Sequence, residues 1–167
     1  MKIHNVTESE ITSEPEISST EYTILVVDDE RGILEAIKRI LRREPLFKYK
    51  VLTVDSAKDA LKIVESEKVD LILSDQRMPK MTGVELFNKV REISPQTVRM
   101  LITGYTDLNA AIDAINKAKI DYYIEKPWDD TELLNIITLT PHQLGNMSNP
   151  SFSSRYLTFF GTSEIML

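Results

Sequence analysis

Four short apolar runs in this chain each end on a residue able to handle phosphate or a metal ion. Ile24-Leu25-Val26-Val27 leads into Asp28-Asp29, Leu71-Ile72-Leu73-Ser74 into Asp75, Met100-Leu101-Ile102 into Thr103, and Tyr122-Tyr123-Ile124 into Glu125-Lys126. Runs of this length and composition read as strands. If they are parallel strands of one sheet, each of these residues stands at a carboxyl edge, where open α/β sheets bind their ligands. Three acids, a hydroxyl and an ammonium then converge. That set suits Mg2+-dependent transfer of a phosphoryl group to a carboxylate.

Taken singly, each residue has a bland explanation. Asp28-Asp29-Glu30 could cap a helix and meet its dipole, Asp75 could end a strand, Thr103 could shape a turn beside Gly104, and Lys126 could be a solvated charge before Pro127. Jointly these explanations require every residue to reach the same sheet edge by chance. With the first and third strands adjacent, the three aspartates approach one another, and their repulsion raises carboxylate pKa values unless a cation intervenes. Mg2+ prefers oxygen ligands and is held by one or two carboxylates plus phosphate oxygens. Asp75, on the central strand, is the candidate nucleophile, since a carboxylate attacking phosphorus forms an acyl phosphate. Lys126 and Mg2+ would balance charge on the transferring phosphoryl oxygens, and Thr103 would donate a hydrogen bond to one of them.

The elements that must hold these residues alternate between strand and helix. Ile33, Leu34, Ile37, Ile40 and Leu41 recur at helical spacing and predict a first helix ending near Arg43; Val51 to Val54 reads as the second strand. A helix capped by Asp55-Ser56 carries Ala57, Ala60, Leu61 and Val64, and the third strand runs from Val69 to Ser74. A third helix carries Val84, Leu86, Phe87 and Val90, and Val98 to Ile102 is the fourth strand. Thr106-Asp107 caps a fourth helix through Ile115, and Tyr122 to Ile124 is the fifth strand. A fifth helix opens after Asp129-Asp130, carries Leu133, Leu134, Ile136 and Ile137, and is expected to end before Pro141. This alternation predicts an α/β, flavodoxin-like doubly wound parallel sheet of five strands in the order 2-1-3-4-5. Residues 1–21 read as a disordered arm, 22–138 as one domain, and 139–167 as an irregular tail without a domain of its own.

Composition narrows the functional classes. At 167 residues, 42% hydrophobic, with a formal charge of −6, the chain can build one well-buried core. The acidic balance and the lack of a Lys/Arg-rich block argue against direct nucleic-acid binding. Without cysteine, thiolate catalysis and Cys-type zinc sites are excluded, and His4 and His142 lie in weakly patterned terminal segments. No segment has the apolar length of a membrane span, and the polar start does not read as a signal peptide, so a cytoplasmic location is expected.

Over roughly 22–138 the chain resembles the receiver domain of two-component response regulators. The matching residues are Val26-Val27-Asp28-Asp29-Glu30, Asp75-Gln76-Arg77-Met78-Pro79 with Thr82-Gly83, Thr103-Gly104, and Tyr123 with Lys126-Pro127-Trp128. Within that family, 75–83, 99–118 and 122–128 look most like receivers attached to HD-GYP-type phosphodiesterases or to transcriptional activators. The resemblance implies that Asp75 accepts a phosphoryl group from a histidine kinase, that Asp28, Asp29, Asp75 and the Arg77 backbone carbonyl hold Mg2+, and that Lys126-Pro127 is a cis peptide. It implies a non-enzymatic switch, with Thr103 and Tyr123 as switch residues read out on the face of the fourth helix, fifth strand and fifth helix. Arg77 and Tyr105, each two positions past a site residue, would tune phosphoryl lifetime; both are bulky, which predicts slow self-dephosphorylation. A downstream effector or a second copy of the chain would be the onward partner.

Two features depart from the family pattern. Ala118 stands where many receivers have glycine ahead of the fifth strand, so the fourth helix is expected to close without a left-handed turn, or with strain of roughly 1 kcal/mol. The fifth helix is expected to be short. Two other readings remain open on sequence alone: a degenerate receiver-like protein-binding module, and a Mg2+-dependent phosphohydrolase working through an aspartyl phosphate. The latter needs a second acid two residues past the nucleophile, where this chain has Arg77.

Overall fold

The structure, a computed structural model, describes residues 21–44, 48–104 and 119–145. Strand β1 (Glu21–Val27) is followed by α1 (Arg31–Leu41), β2 (Lys48–Val54), α2 (Ala57–Ser66), β3 (Leu71–Asp75), α3 (Gly83–Ile93), β4 (Val98–Gly104), β5 (Tyr122–Lys126) and α4 (Asp130–Gly145). The strands pair in parallel as one sheet in the order β2-β1-β3-β4-β5, the predicted flavodoxin-like arrangement. The expected helix over 106–115 lies outside the described residues, as do Tyr105, Ala118, the arm 1–20 and the tail beyond Gly145.

Alternation along the strands divides the core. Ile24, Val26, Leu71, Leu73, Met100 and Ile102 pack with Leu34 and Ile37 of α1 and Leu133 and Ile137 of α4. Leu25, Val27, Ile72 and Leu101 face the other way, onto Ala60 of α2 and Phe87 and Val90 of α3. Successive side chains on a strand point to opposite faces, so a central strand covered on both must be apolar throughout. Every residue of β3 is buried.

Local chemistry starts most of the helices. The Ser56 hydroxyl accepts the Asp59 N–H at α2, and Thr82 and Glu85 form a reciprocal capping box at α3. At α4, Asp129 Oδ1 accepts the N–H groups of Thr131 and Glu132. Among the described helices, α1 alone starts, at Glu30, without a side-chain cap bond.

Two expectations need correction. Strands β1 and β2 begin earlier than their apolar runs, at Glu21 and Lys48, because the edge strand β2 alternates exposed Lys48 and Lys50 with half-buried Tyr49 and Val51. Helix α4 does not stop before Pro141 but continues to Gly145, into the stretch read as irregular tail. Proline removes one backbone donor and crowds the preceding turn, which costs a helix about 3 kcal/mol without forbidding it, and its fixed φ is helical. Ahead of β5 a residue other than glycine, Lys119 (φ 50), takes a left-handed conformation, in line with the strained alternative. The buried Arg99 secures that conformation. Its Nε donates to the Lys119 carbonyl at 3.2 Å, and its Nη2 meets Asp121 Oδ2 at 3.1 Å.

Candidate functional site

Register brings the chemistry to one edge. Val27 pairs with Ser74, which places Asp28 level with Asp75; Asp75 pairs with Ile102, Thr103 with Glu125, and Gly104 with Lys126. Asp28 (1% exposed) and Asp75 (7% exposed) are buried, and Asp29 is exposed beside them. Lys126 spans both buried acids: its Nζ donates to Asp75 Oδ1 at 2.6 Å and to Asp28 Oδ2 at 3.3 Å.

The remaining carboxylate oxygens are held by a device used twice. Asp28 Oδ1 accepts the N–H of Glu30 at 2.8 Å, and Asp75 Oδ2 accepts the N–H of Arg77 at 2.6 Å. Each is an aspartate bonding the backbone two residues on, which turns the chain and fixes the carboxylate at once. The loop after Asp75 is pressed close. A Cβ on Gly83 would lie 2.4 Å from the Asp75 carbonyl oxygen, so only glycine fits there. Ser74 Oγ donates to that same carbonyl at 3.0 Å.

Burial pushes the Asp28 carboxyl above its ordinary range, and the Asp75 charge adds to this, while the Glu30 N–H and Lys126 pull the other way. Repulsion between the acids, expected to be the cause, is secondary to loss of solvent. Burial also works against the Lys126 ammonium, yet its hydrogen bond to Asp75 and the charges of Asp28 and Asp75 outweigh this and raise its pKa. Lys126 is therefore held in its charged form.

The two residues expected to act as the switch belong to the other face of the sheet. Thr103 follows Leu101 by two positions and is buried, with its hydroxyl donating to the Gly104 carbonyl at 3.3 Å. Tyr123 pairs in register with Leu101 and is 54% exposed. The side chain of Arg77 is exposed. Lys126-Pro127 is cis, as the resemblance implies.

Among the described residues, no three acidic or imidazole side chains stand together as a ready metal cage. The donor set nevertheless fits Mg2+, which takes oxygen ligands, needs only one or two carboxylates and keeps much of its water. Among the described residues, the two buried carboxylates of Asp28 and Asp75 share one ammonium, that of Lys126. The sequence did not single out Gln76, whose backbone and side chain both bond helix α3, nor the paired aspartate turns. A polar residue directly after Asp75 was the only available signal.

Relatives share this architecture. The hydrogenase transcriptional regulatory protein HoxA of Bradyrhizobium diazoefficiens is 44% identical over 119 residues, which are 71% of this chain and 24% of HoxA. The chain thus spans about a quarter of that relative's length. The receiver domain of an HD domain-containing protein from Pseudomonas fluorescens Pf-5 superposes with a TM-score of 0.67 at 32% identity, covering 76% of this chain and 99% of that one. A CheY-like receiver domain protein from Methanospirillum hungatei JF-1 gives 0.67 at 30% identity over 76% and 98%. Among the described residues, no helix is long and apolar enough to cross a membrane. The model of the response regulator receiver domain matches residues 24–138, from the middle of β1 into α4, and so takes in every residue of the acid edge. With fold, edge and family model in agreement, the chain belongs to the response regulator receiver family of two-component signalling.

Proposed function

We propose that this receiver is a phosphorylatable switch whose acceptor is Asp75 and whose donor is the phosphohistidine of a sensor histidine kinase. A carboxylate oxygen of Asp75 forms a bond to phosphorus while the P–N bond to the donor imidazole breaks, its electron pair leaving with the imidazole. Asp28, Asp29, Asp75 and the Arg77 carbonyl would hold Mg2+, which when bound supplies positive charge against the phosphoryl oxygens. Lys126 supplies the second positive charge, already within hydrogen-bond reach of the acceptor. Thr103 rotates its hydroxyl from the Gly104 carbonyl to a phosphoryl oxygen, and the exposed ring of Tyr123 turns into the vacated space. The altered face, built on β5 and α4, then meets a downstream effector or a second copy of the chain, as suits relatives that are transcriptional regulators. In this reading 22–138 is the working unit and its setting is the cytoplasm.

The observation that carries this reading is the contact of Lys126 with both Asp75 and Asp28, residues remote in sequence. Intact mass after treatment with acetyl phosphate and Mg2+ tests it. The expected result is a single phosphoryl adduct that Asp75→Asn abolishes. Turnover of diverse phosphate esters would instead favour a phosphohydrolase, and no adduct with acetyl phosphate or a phosphorylated kinase would favour a binding module.

A further inference from the structure

Gln76, the residue after the proposed acceptor, staples both ends of the loop that carries the site. Its N–H continues the ladder to the Ile102 carbonyl of β4 at 3.1 Å. Its own carbonyl accepts the N–H of Gly83 at 3.1 Å, and its side-chain Oε1 accepts the N–H of Val84 at 3.2 Å. The first amides of a helix have no partner within the helix. In α3, Gln76 satisfies two of them from outside, while Thr82 takes the Glu85 N–H.

This residue therefore ties three things together: β4, the strand that carries Thr103, the first turn of α3, and the peptide leading to Arg77. The Arg77 N–H in turn grips Asp75 Oδ2. The loop it closes includes Lys80 in the left-handed region (φ 71), a conformation side chains disfavour, and is packed into the core through the buried Met78. Without the Gln76 amide, the backbone bond to Gly83 and the packing of Met78 would be left to hold the loop against the helix.

We infer that Gln76 is a positioning residue of the receiver site, its side-chain amide holding the Asp75–Arg77 turn at the spacing from α3 that divalent-ion binding and phosphoryl acceptance require. This rests on the proposed role of Asp75 and of the Arg77 carbonyl. Loss of one neutral hydrogen bond that sets this spacing corresponds to roughly a threefold to tenfold effect.

The test uses the full chain with Gln76→Met, which keeps bulk and removes the acceptor, and Gln76→Glu, which keeps an acceptor oxygen. Mg2+ affinity is measured by calorimetry at about 0.15 M salt, where the added charge of the Glu variant is partly screened. The rate of adduct formation from acetyl phosphate and the urea midpoint are measured beside it. The expected outcome is Mg2+ binding and adduct formation weakened by roughly threefold to tenfold in Gln76→Met and held within about twofold of wild type in Gln76→Glu. A lower urea midpoint in Gln76→Met with unchanged Mg2+ affinity and rate would make the residue merely structural and overturn the inference. So would equal losses in both variants. If wild type itself binds no Mg2+ and forms no adduct, the parent reading fails; if wild type does both and Gln76→Met matches it, only the positioning role fails.

Discussion

Lys126 settles a difficulty that Asp28 and Asp75 create for each other. Two buried carboxylates facing one edge would favour protonation or separation, yet an ammonium bonded to both lets them stay close. Residue type and position at strand ends pointed to Asp28, Asp29, Asp75, Thr103 and Lys126, because each breaks an apolar run, and the structure joins Asp28, Asp75 and Lys126. What type and position could not reveal is how the carboxylates are aimed: the bonds from the Glu30 and Arg77 amides depend on backbone turns that only the folded chain defines. Arg77 thus has two separable parts, an amide fixed to Asp75 and an exposed side chain. Its side chain is expected to shield the acyl phosphate from water, so Arg77→Ala should shorten the phosphorylated state by roughly threefold to tenfold while leaving its formation intact. Decay of the adduct mass after donor removal measures this, and an unchanged or longer lifetime would count against shielding.

Two glycines show how differently one residue type serves two helices. Around Gly32, in the first turn of α1, an added Cβ meets nothing within 4 Å, so Gly32→Ala should stabilise the fold by about 0.5 to 1 kcal/mol. At the start of α3 the same change collides with backbone, and Gly83→Ala should cost about 2 kcal/mol or more and disturb the site as well. Urea midpoints of the two variants decide both signs. The cap of α3 adds a pH dependence. Bonds from the Thr82 N–H and hydroxyl lower the pKa of Glu85, so its ionised form stabilises the folded chain above the ordinary glutamate range, and this is lost as pH falls through the lowered value. Glu85→Gln keeps the box but not the charge, and should narrow the gap between urea midpoints measured at about pH 7 and about pH 3. At this scale the sequence was legible where periodicity was strong. It was less so where solvent and core alternate, as at Lys48 to Lys50, or where a left-handed residue is a lysine, as at Lys119, since neither leaves an apolar signature.

For the molecule as a whole, strand order followed from alternation of elements and the rule of right-handed crossovers, because few other windings bury both faces of a parallel sheet. The core closes on Leu133 and Ile137, the last fully buried side chains described in α4. A chain ending at Gly145 should therefore unfold cooperatively with a urea midpoint close to that of the full chain, whereas one ending before Leu133 should lose the fold. Circular dichroism during urea titration distinguishes the two.

The sheet also acts as a partition. Asp75 and Lys126 lie on the side under α1 and α4, whereas Thr103 and Tyr123 continue the side under α3. In the proposed switch, news of an arriving charge cannot cross a wall of paired, buried strands; it has to climb over the lip, where the hydroxyl of Thr103 stands. A chain with Thr103→Ala would then be a receiver that hears and stays mute, fully loaded at Asp75 while its tyrosine never learns of it.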